Sequence, residues 1–203
     1  MDRDSRYLML GSSANRCLLL LGILLSCLTV YQIALGSPQE QRVQIGLRLF
    51  RTLLAADQNL AEKVNANGQL DLALIYRNDR NQAEAFAKAL KESGRGDRQG
   101  KIKNYSLQIT LIDIADLEVL QLQVPAAIYL VQTLPKPFLE KVIRYGIDHQ
   151  RIVFSPFVGD VENGALAGFA LGVRVRPYIN RITLERSGIQ LKSLLLKVAK
   201  IYD

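Results

Sequence analysis

The sequence predicts an α/β fold, a single layered domain of alternating helices and strands preceded by a signal or anchor segment. Three observations predict it. From Glu40 onward, apolar residues recur by turns with helical spacing and in short strand-like runs. The composition, 49% apolar and 22% charged over 203 residues, provides a core and excludes a chain that stays disordered for want of one. A charge-free apolar run, Cys17–Leu35, lies ahead of everything that shows this alternation.

That N-terminal run separates two regions, 1–36 and 37–203. Arg3, Arg6 and Arg16 precede it, and Ala34-Leu35-Gly36 places small residues at the −3 and −1 positions of a cut before Ser37. An export signal is the reading that fits, and residues 17–35 are also close to the ~20 needed to cross a bilayer, so an uncleaved inner-membrane anchor is the alternative. A lipoprotein site at Ser26-Cys27 ranks last, since Leu25 matches it poorly. Both cysteines, Cys17 and Cys27, fall in this segment. Residues 37–203 therefore form no internal disulfide, no thiolate nucleophile and no Cys-based zinc site.

The elements of the domain follow in order. Val43, Leu47, Phe50, Leu54, Ala61 and Val64 predict a helix from Glu40 to about Val64, ended by Asn67-Gly68. Leu70–Tyr76 is a short apolar run between polar turns, the pattern of a buried strand. Ala83, Phe86, Ala87 and Leu90 give a helix over Asn81–Leu90, and the Gly-rich basic stretch Ser93–Lys103 reads as an exposed loop. Strands are expected at Ser106–Ile112 and Ala126–Val131, with a short helix at Ala115–Leu122 between them. Pro137 suits a first helical turn for Pro137–Tyr145. Arg151–Phe154 reads as a strand opening into the turn-rich loop Ser155–Gly164, and Leu166–Leu171 and Arg174–Ile179 as a strand pair joined at Gly172. Leu191, Leu194, Leu195, Val198 and Ile201 make one face of a closing helix.

Catalytic constellations are not found. Gly94–Lys101 has the wrong spacing for a phosphate loop, and Ile102 stands where Ser or Thr is needed. The single histidine, His149, lies in the polar turn Asp148-His-Gln-Arg151 and reads as a surface residue. A hydrolase would have to use it, which ranks that class third. Asp160 and Glu162 could hold a cation or pair as acid and base, but the plainer account is a turn cap and a solvated carboxylate. Gly164, Gly168 and Gly172 repeat every fourth residue in a stretch too short to span a membrane, so they read as strand and turn glycines. No cofactor and no metal is expected.

The charge also narrows the function. The whole chain carries 26 basic and 19 acidic residues, a net +7, and residues 37–203 carry 23 and 17, a net +6. Part of this sits on Arg95, Arg98, Lys101 and Lys103, without the interleaved aromatics that stack on single-stranded nucleic acid. An exported domain does not meet chromosomal DNA, so no nucleic-acid partner is expected. Anionic headgroups or an acidic partner are the remaining targets of a basic surface.

Val175-Arg-Pro-Tyr-Ile-Asn180, then Gly188-Ile189, then Leu191-Lys-Ser-Leu-Leu-Leu-Lys-Val-Ala199 resemble the end of the YfiR/HmsC-type periplasmic proteins. The likeness is gapless over Val175–Ala199 and continues more weakly back to about Gln41. Pro177 and Tyr178 depart from the family's aromatic and acid, and residues 37–203 lack the cysteines its members often carry, so redox control by disulfides does not transfer. The resemblance implies a non-enzymatic periplasmic regulator that binds and represses the periplasmic sensor region of an inner-membrane signalling protein, a diguanylate cyclase. On it, Phe157, Val158, Asp160, Glu162 and Asn163 of the exposed 155–164 loop are the candidate partner surface. Arg176, Asn180 and Gly188 belong to the structural motif, with Arg174 and Arg176 on a strand face and Asn180 bonding the backbone at a strand-to-helix corner. A homo-oligomer is compatible with this.

The alternative expectation is a periplasmic small-molecule-binding module resembling one lobe of a solute-binding protein, whose lobes also alternate strands and helices and often carry a segment like Gly164-Ala-Leu-Ala-Gly168.

Overall fold

A computed structural model describes residues 38–203, and the signal or anchor reading of residues 1–36 lies outside them. Residues Arg42–Asp203 form one compact unit. Helix α1, Pro38–Ala56, buries Val43, Leu47, Phe50 and Leu54 at helical spacing. It stops eight residues short of the expected Val64, and Leu60–Lys63 is a separate 3-10 turn. The cause is backbone pairing: Asp57 bridges Leu191, Gln58 N donates to the Gln190 carbonyl at 2.9 Å, and Lys192 N donates to that of Ala56 at 3.0 Å. These bonds pull the chain out of helical register.

Strand β1, Gln69–Tyr76, is buried along nearly its whole length, as its continuous apolar run predicts for a central parallel strand. Helix α2, Arg80–Glu92, begins where the Asp79 carboxylate accepts from Gln82 N at 2.9 Å, an N-cap. The expected loop 93–103 also contains a strand, β2, Lys101–Ile102, which folds back on β3, Tyr105–Asp113, through a turn in which Lys103 takes φ 53°. The expected helix 115–122 is two pieces, a 3-10 turn at Ile114–Asp116 and α3, Val119–Gln123. Then come β4, Ala127–Leu130, α4, Lys136–Asp148, and β5, Ile152–Phe154.

The last third contributes β6, Ala167–Ala170, β7, Arg176–Asn180, α5, Arg181–Ser187, α6, Ser193–Val198, and β8, Lys200–Tyr202. The closing helix is thus shorter than expected. Leu191 and Leu195 are buried while Leu194 and Val198 are exposed, and Ile201 belongs to β8, where it pairs with Ile179 of β7. Leaving the helix lets Tyr202 meet Tyr178 edge-on, at 6.3 Å, and Asp203 reach Arg181 at 2.6 Å.

The eight strands form one sheet in the order β2-β3-β1-β4-β5-β6-β7-β8. Strands β3, β1, β4, β5 and β6 are parallel; β2 runs against β3 and β7 against β6, and β8 is parallel to β7. The chain is therefore a single mixed α/β domain. From β1 it crosses to β3 on one side, then returns past β1 to β4 on the other. Right-handed crossovers in opposite directions put α2 and α3 on opposite faces. Helix α1 covers the face carrying Tyr129 and Phe154, register neighbours whose rings stack at 5.4 Å against Phe50. It comes close at Gly46, where a Cβ would lie 2.5 Å from the Tyr129 hydroxyl. Helix α4 covers the other face, its Gly146 seated against Val153.

Candidate functional site

In an open parallel sheet, the crevice that receives a ligand lies outside the carboxyl ends of the strands, where the order reverses, because the two following loops diverge there. Here the reversal is between β1 and β4. The two loops are Arg77–Asp79 and Gln132–Pro135, both short and polar at their start. Gln132 joins them across the crevice: its Oε1 accepts from the backbone N–H of Arg77 at 2.7 Å and of Asn78 at 3.1 Å. With the Asp79 cap, three backbone amides at the head of α2 are already answered by side-chain oxygens. Arg77, Asn78, Asp79 and Thr133 are exposed around them. Chemically this is a hydrogen-bonding rim with one guanidinium and one carboxylate. It holds no nucleophile and base pair.

Next along the same edge is the loop after β5. Ser155 Oγ donates to Asp160 Oδ2 at 2.6 Å, and Phe157 N donates to Ser155 Oγ at 3.2 Å. Burial pushes the Asp160 carboxyl up, helped by the nearby Glu162 and opposed by the Ser155 hydrogen bond. The guanidinium of Arg42 fastens the loop from α1, donating twice to the Pro156 carbonyl, at 3.0 and 2.9 Å, and lying 4.7 Å over the Phe169 ring.

The expected partner surface is therefore divided. Phe157 and Asp160 are buried and serve the fold, so the 155–164 loop is not exposed throughout, whereas Val158 is 81% exposed and Glu162 and Asn163 also face outward. The reason is local: Asp160 and Phe157 close the loop on Ser155 and so point inward. Arg176 opens β7 and is exposed. Asn180 caps α5 by accepting from Thr183 N at 2.8 Å, and its Nδ2 donates to the Val161 carbonyl at 2.7 Å. Gly188, at φ 66°, ends the same helix in the left-handed conformation that favours glycine. His149 caps the end of α4 and stacks on Tyr145 at 4.3 Å. The hairpin between β6 and β7 extends Leu171, Val173 and Val175 into solvent.

Sequence reasoning missed the crevice. Its one local signal was Asn78-Asp79 directly after an apolar run, and Gln132 becomes meaningful only when β1 and β4 are neighbours. A groove of about 560 Å³ also runs between α3 and α4, lined by Leu117, Leu120, Phe138 and Val142 with Glu118 and Arg144 among its charged residues. Among the described residues no group of three or more His, Cys, Asp or Glu could hold a metal ion, and no helix is long and apolar enough to cross a membrane.

No family model and no curated protein matches the sequence. Solved structures do match. A conserved domain protein from Vibrio cholerae O1 biovar El Tor has TM-score 0.51 and 17% identity, over 82% of this chain and 60% of that one. The ligand-free, open structure of CD0873, a substrate binding protein with adhesive properties from Clostridium difficile, has TM-score 0.50 and 12% identity, over 72% and 60%. The ABC domain in complex with L-Trp from Streptococcus pneumonia follows at TM-score 0.48 and 12% identity, over 73% and 62%. The fold likeness rests on the first two. The chain spans about three fifths of the length of the structures it matches.

Proposed function

We propose that this chain is an exported small-molecule-binding module, similar to one lobe of a solute-binding protein, with its ligand held in the crevice between Arg77–Asp79 and Gln132–Thr133. The observation that carries this reading is the reversal of strand order between β1 and β4, which opens a polar crevice at the edge where ligands of such sheets bind. The fold likeness to a substrate binding protein supports it. A ligand oxygen takes the place of the Gln132 carboxamide on the amides of Arg77 and Asn78, with the Arg77 and Asp79 side chains discriminating by charge. The role is binding, and no bond is made or broken. Export through residues 1–36 places the module in the periplasm, or on the inner membrane where residues 17–35 are retained. The test is thermal stabilisation screened across amino acids, sugars and small organic acids. One class of ligand should raise the melting temperature saturably, with half-saturation at a lower ligand concentration in Gln132→Ala, which removes the group the ligand displaces.

A second reading has its own observation. Val158, Leu171, Val173 and Val175 leave apolar side chains uncovered in the β5–β6 loop and the β6–β7 hairpin. A protein partner would cover them, which favours a regulator that binds the periplasmic sensor region of an inner-membrane signalling protein such as a diguanylate cyclase, the role implied by the resemblance of Val175–Ala199. Pull-down from envelope extracts with the parent chain and Val173→Asp tests it. A membrane signalling protein recovered by the parent alone supports this reading, and recovery of none counts against it.

A further inference from the structure

At the opposite, amino edge of the sheet lies a second, smaller pocket of about 150 Å³. Three segments wall it: the turn after α1 with Asp57 and Lys63, the α4–β5 turn with His149 and Arg151, and the stretch after α5 with Gln190. Its chemistry is unusual for a structural seam. The side chains of Asp57 and Lys63 are 1% and 5% exposed and meet at 2.6 Å. Both carboxylate oxygens of Asp57 are engaged, Oδ2 by Lys63 and Oδ1 by Asn59 N at 3.0 Å.

The donors, in contrast, are in surplus. A lysine ammonium has three protons, and Lys63 spends one on Asp57, with no second acceptor among the described residues. The Nε of Arg151 is buried and has no hydrogen-bond partner. The buried Lys63 ammonium and the half-buried Arg151 guanidinium thus flank one buried carboxylate, Asp57, while the exposed Glu62 at the pocket's rim is bonded to neither. Burial pushes both Lys63 and Arg151 down from their usual values, and the Asp57 carboxylate opposes it in each case. A buried cation with unmet donors is costly unless an acceptor completes it.

We infer that the pocket between Lys63, Arg151 and Gln190 is a binding site for a small oxyanion, a carboxylate or phosphate group whose oxygens accept from Lys63 Nζ and the Arg151 guanidinium. The anion's oxygens answer donors that Asp57 leaves unmet, and a pocket of about 150 Å³ admits a group of that size. The site is separate from the crevice at the carboxyl edge and does not depend on it.

The test uses the full chain in nonionic detergent at constant ionic strength, titrated in separate arms with inorganic phosphate and with acetate and followed by backbone amide chemical shifts. The expected result is saturable shifts at Asn59–Lys63, His149–Arg151 and Gly188–Gln190 in at least one arm; the arm with the lower midpoint assigns the class. Arg151→Gln should weaken that midpoint about tenfold or more, as loss of a charge-assisted bond does. Arg176→Gln, at an exposed site on β7, should leave it unchanged. The inference is overturned by saturable shifts in neither arm, by shifts located elsewhere, or by equal weakening in the two variants. Should Arg151→Gln fail to fold, the location of the shifts in the parent chain decides alone.

Discussion

Asn180→Ala tests how the last third of the chain is held together. Its side chain is buried and makes two bonds: it caps α5 through Thr183 N and ties the 155–164 loop through the Val161 carbonyl. Loss of an N-cap costs about 1 kcal/mol. The Val161 carbonyl keeps the Gly164 N–H at 3.1 Å, so it loses one bond without becoming orphaned, about 1 kcal/mol more. The sum, about 2 kcal/mol, corresponds to a fall in Tm of about 4–8 °C for a domain of this size. Thermal and urea unfolding followed by circular dichroism reads it. Asn180→Asp keeps the cap acceptor but loses the donor to Val161 and buries a charge, so it too must destabilise. A change within about 0.5 kcal/mol in Asn180→Ala would refute the corner's structural role.

Three further outcomes follow. Asp160 has a folded pKa above its unfolded value of about 3.9. Its contribution to stability is therefore full below that value and lost as pH rises through the folded one. Asp160→Asn should remove this part of the decline in urea midpoint above about pH 4, and parallel profiles would contradict the assignment. In Gly168→Ala the new Cβ would lie 2.5 Å from the Ser155 carbonyl oxygen and 2.8 Å from Val161 Cγ2, so the unfolding free energy from urea titration should fall by about 1–3 kcal/mol; an unchanged value would mean that β5 and β6 are not so closely apposed. Tyr129→Phe keeps the ring stack but removes the hydroxyl that donates to the Val43 carbonyl at 2.7 Å. It should cost about 1 kcal/mol in chemical denaturation, and a gain in stability would contradict the bond.

The sequence made the repeating elements legible where one face of a helix or a whole strand is buried. Val43, Leu47, Phe50 and Leu54 marked α1, and Leu70–Tyr76 marked β1. It was opaque where partners distant in sequence decide the outcome. Nothing near Asp57 announces that α1 ends there, because the end is set by pairing with Gln190–Lys192. Likewise Ile201 has helical spacing from Leu194 and Val198, yet the edge of β7 draws it into the sheet. Phe157 and Asp160 sit among turn formers and looked exposed, but Ser155 turns them inward. The crevice itself follows from strand order, which spacing along one chain does not encode. Gln132 lies 55 residues from Arg77, whose amide it accepts from.

The proposal of a ligand crevice at the β1–β4 reversal is tested most directly by mapping a stabilising small molecule onto the chain. Once the thermal screen has given one, the backbone amide spectrum is followed through its titration. The account predicts that the largest shifts fall on Arg77, Asn78 and Asp79 and on Gln132 and Thr133, with Gln132→Ala changing the midpoint. Shifts confined to β7 and β8, or a screen in which no small molecule stabilises the chain, would contradict it.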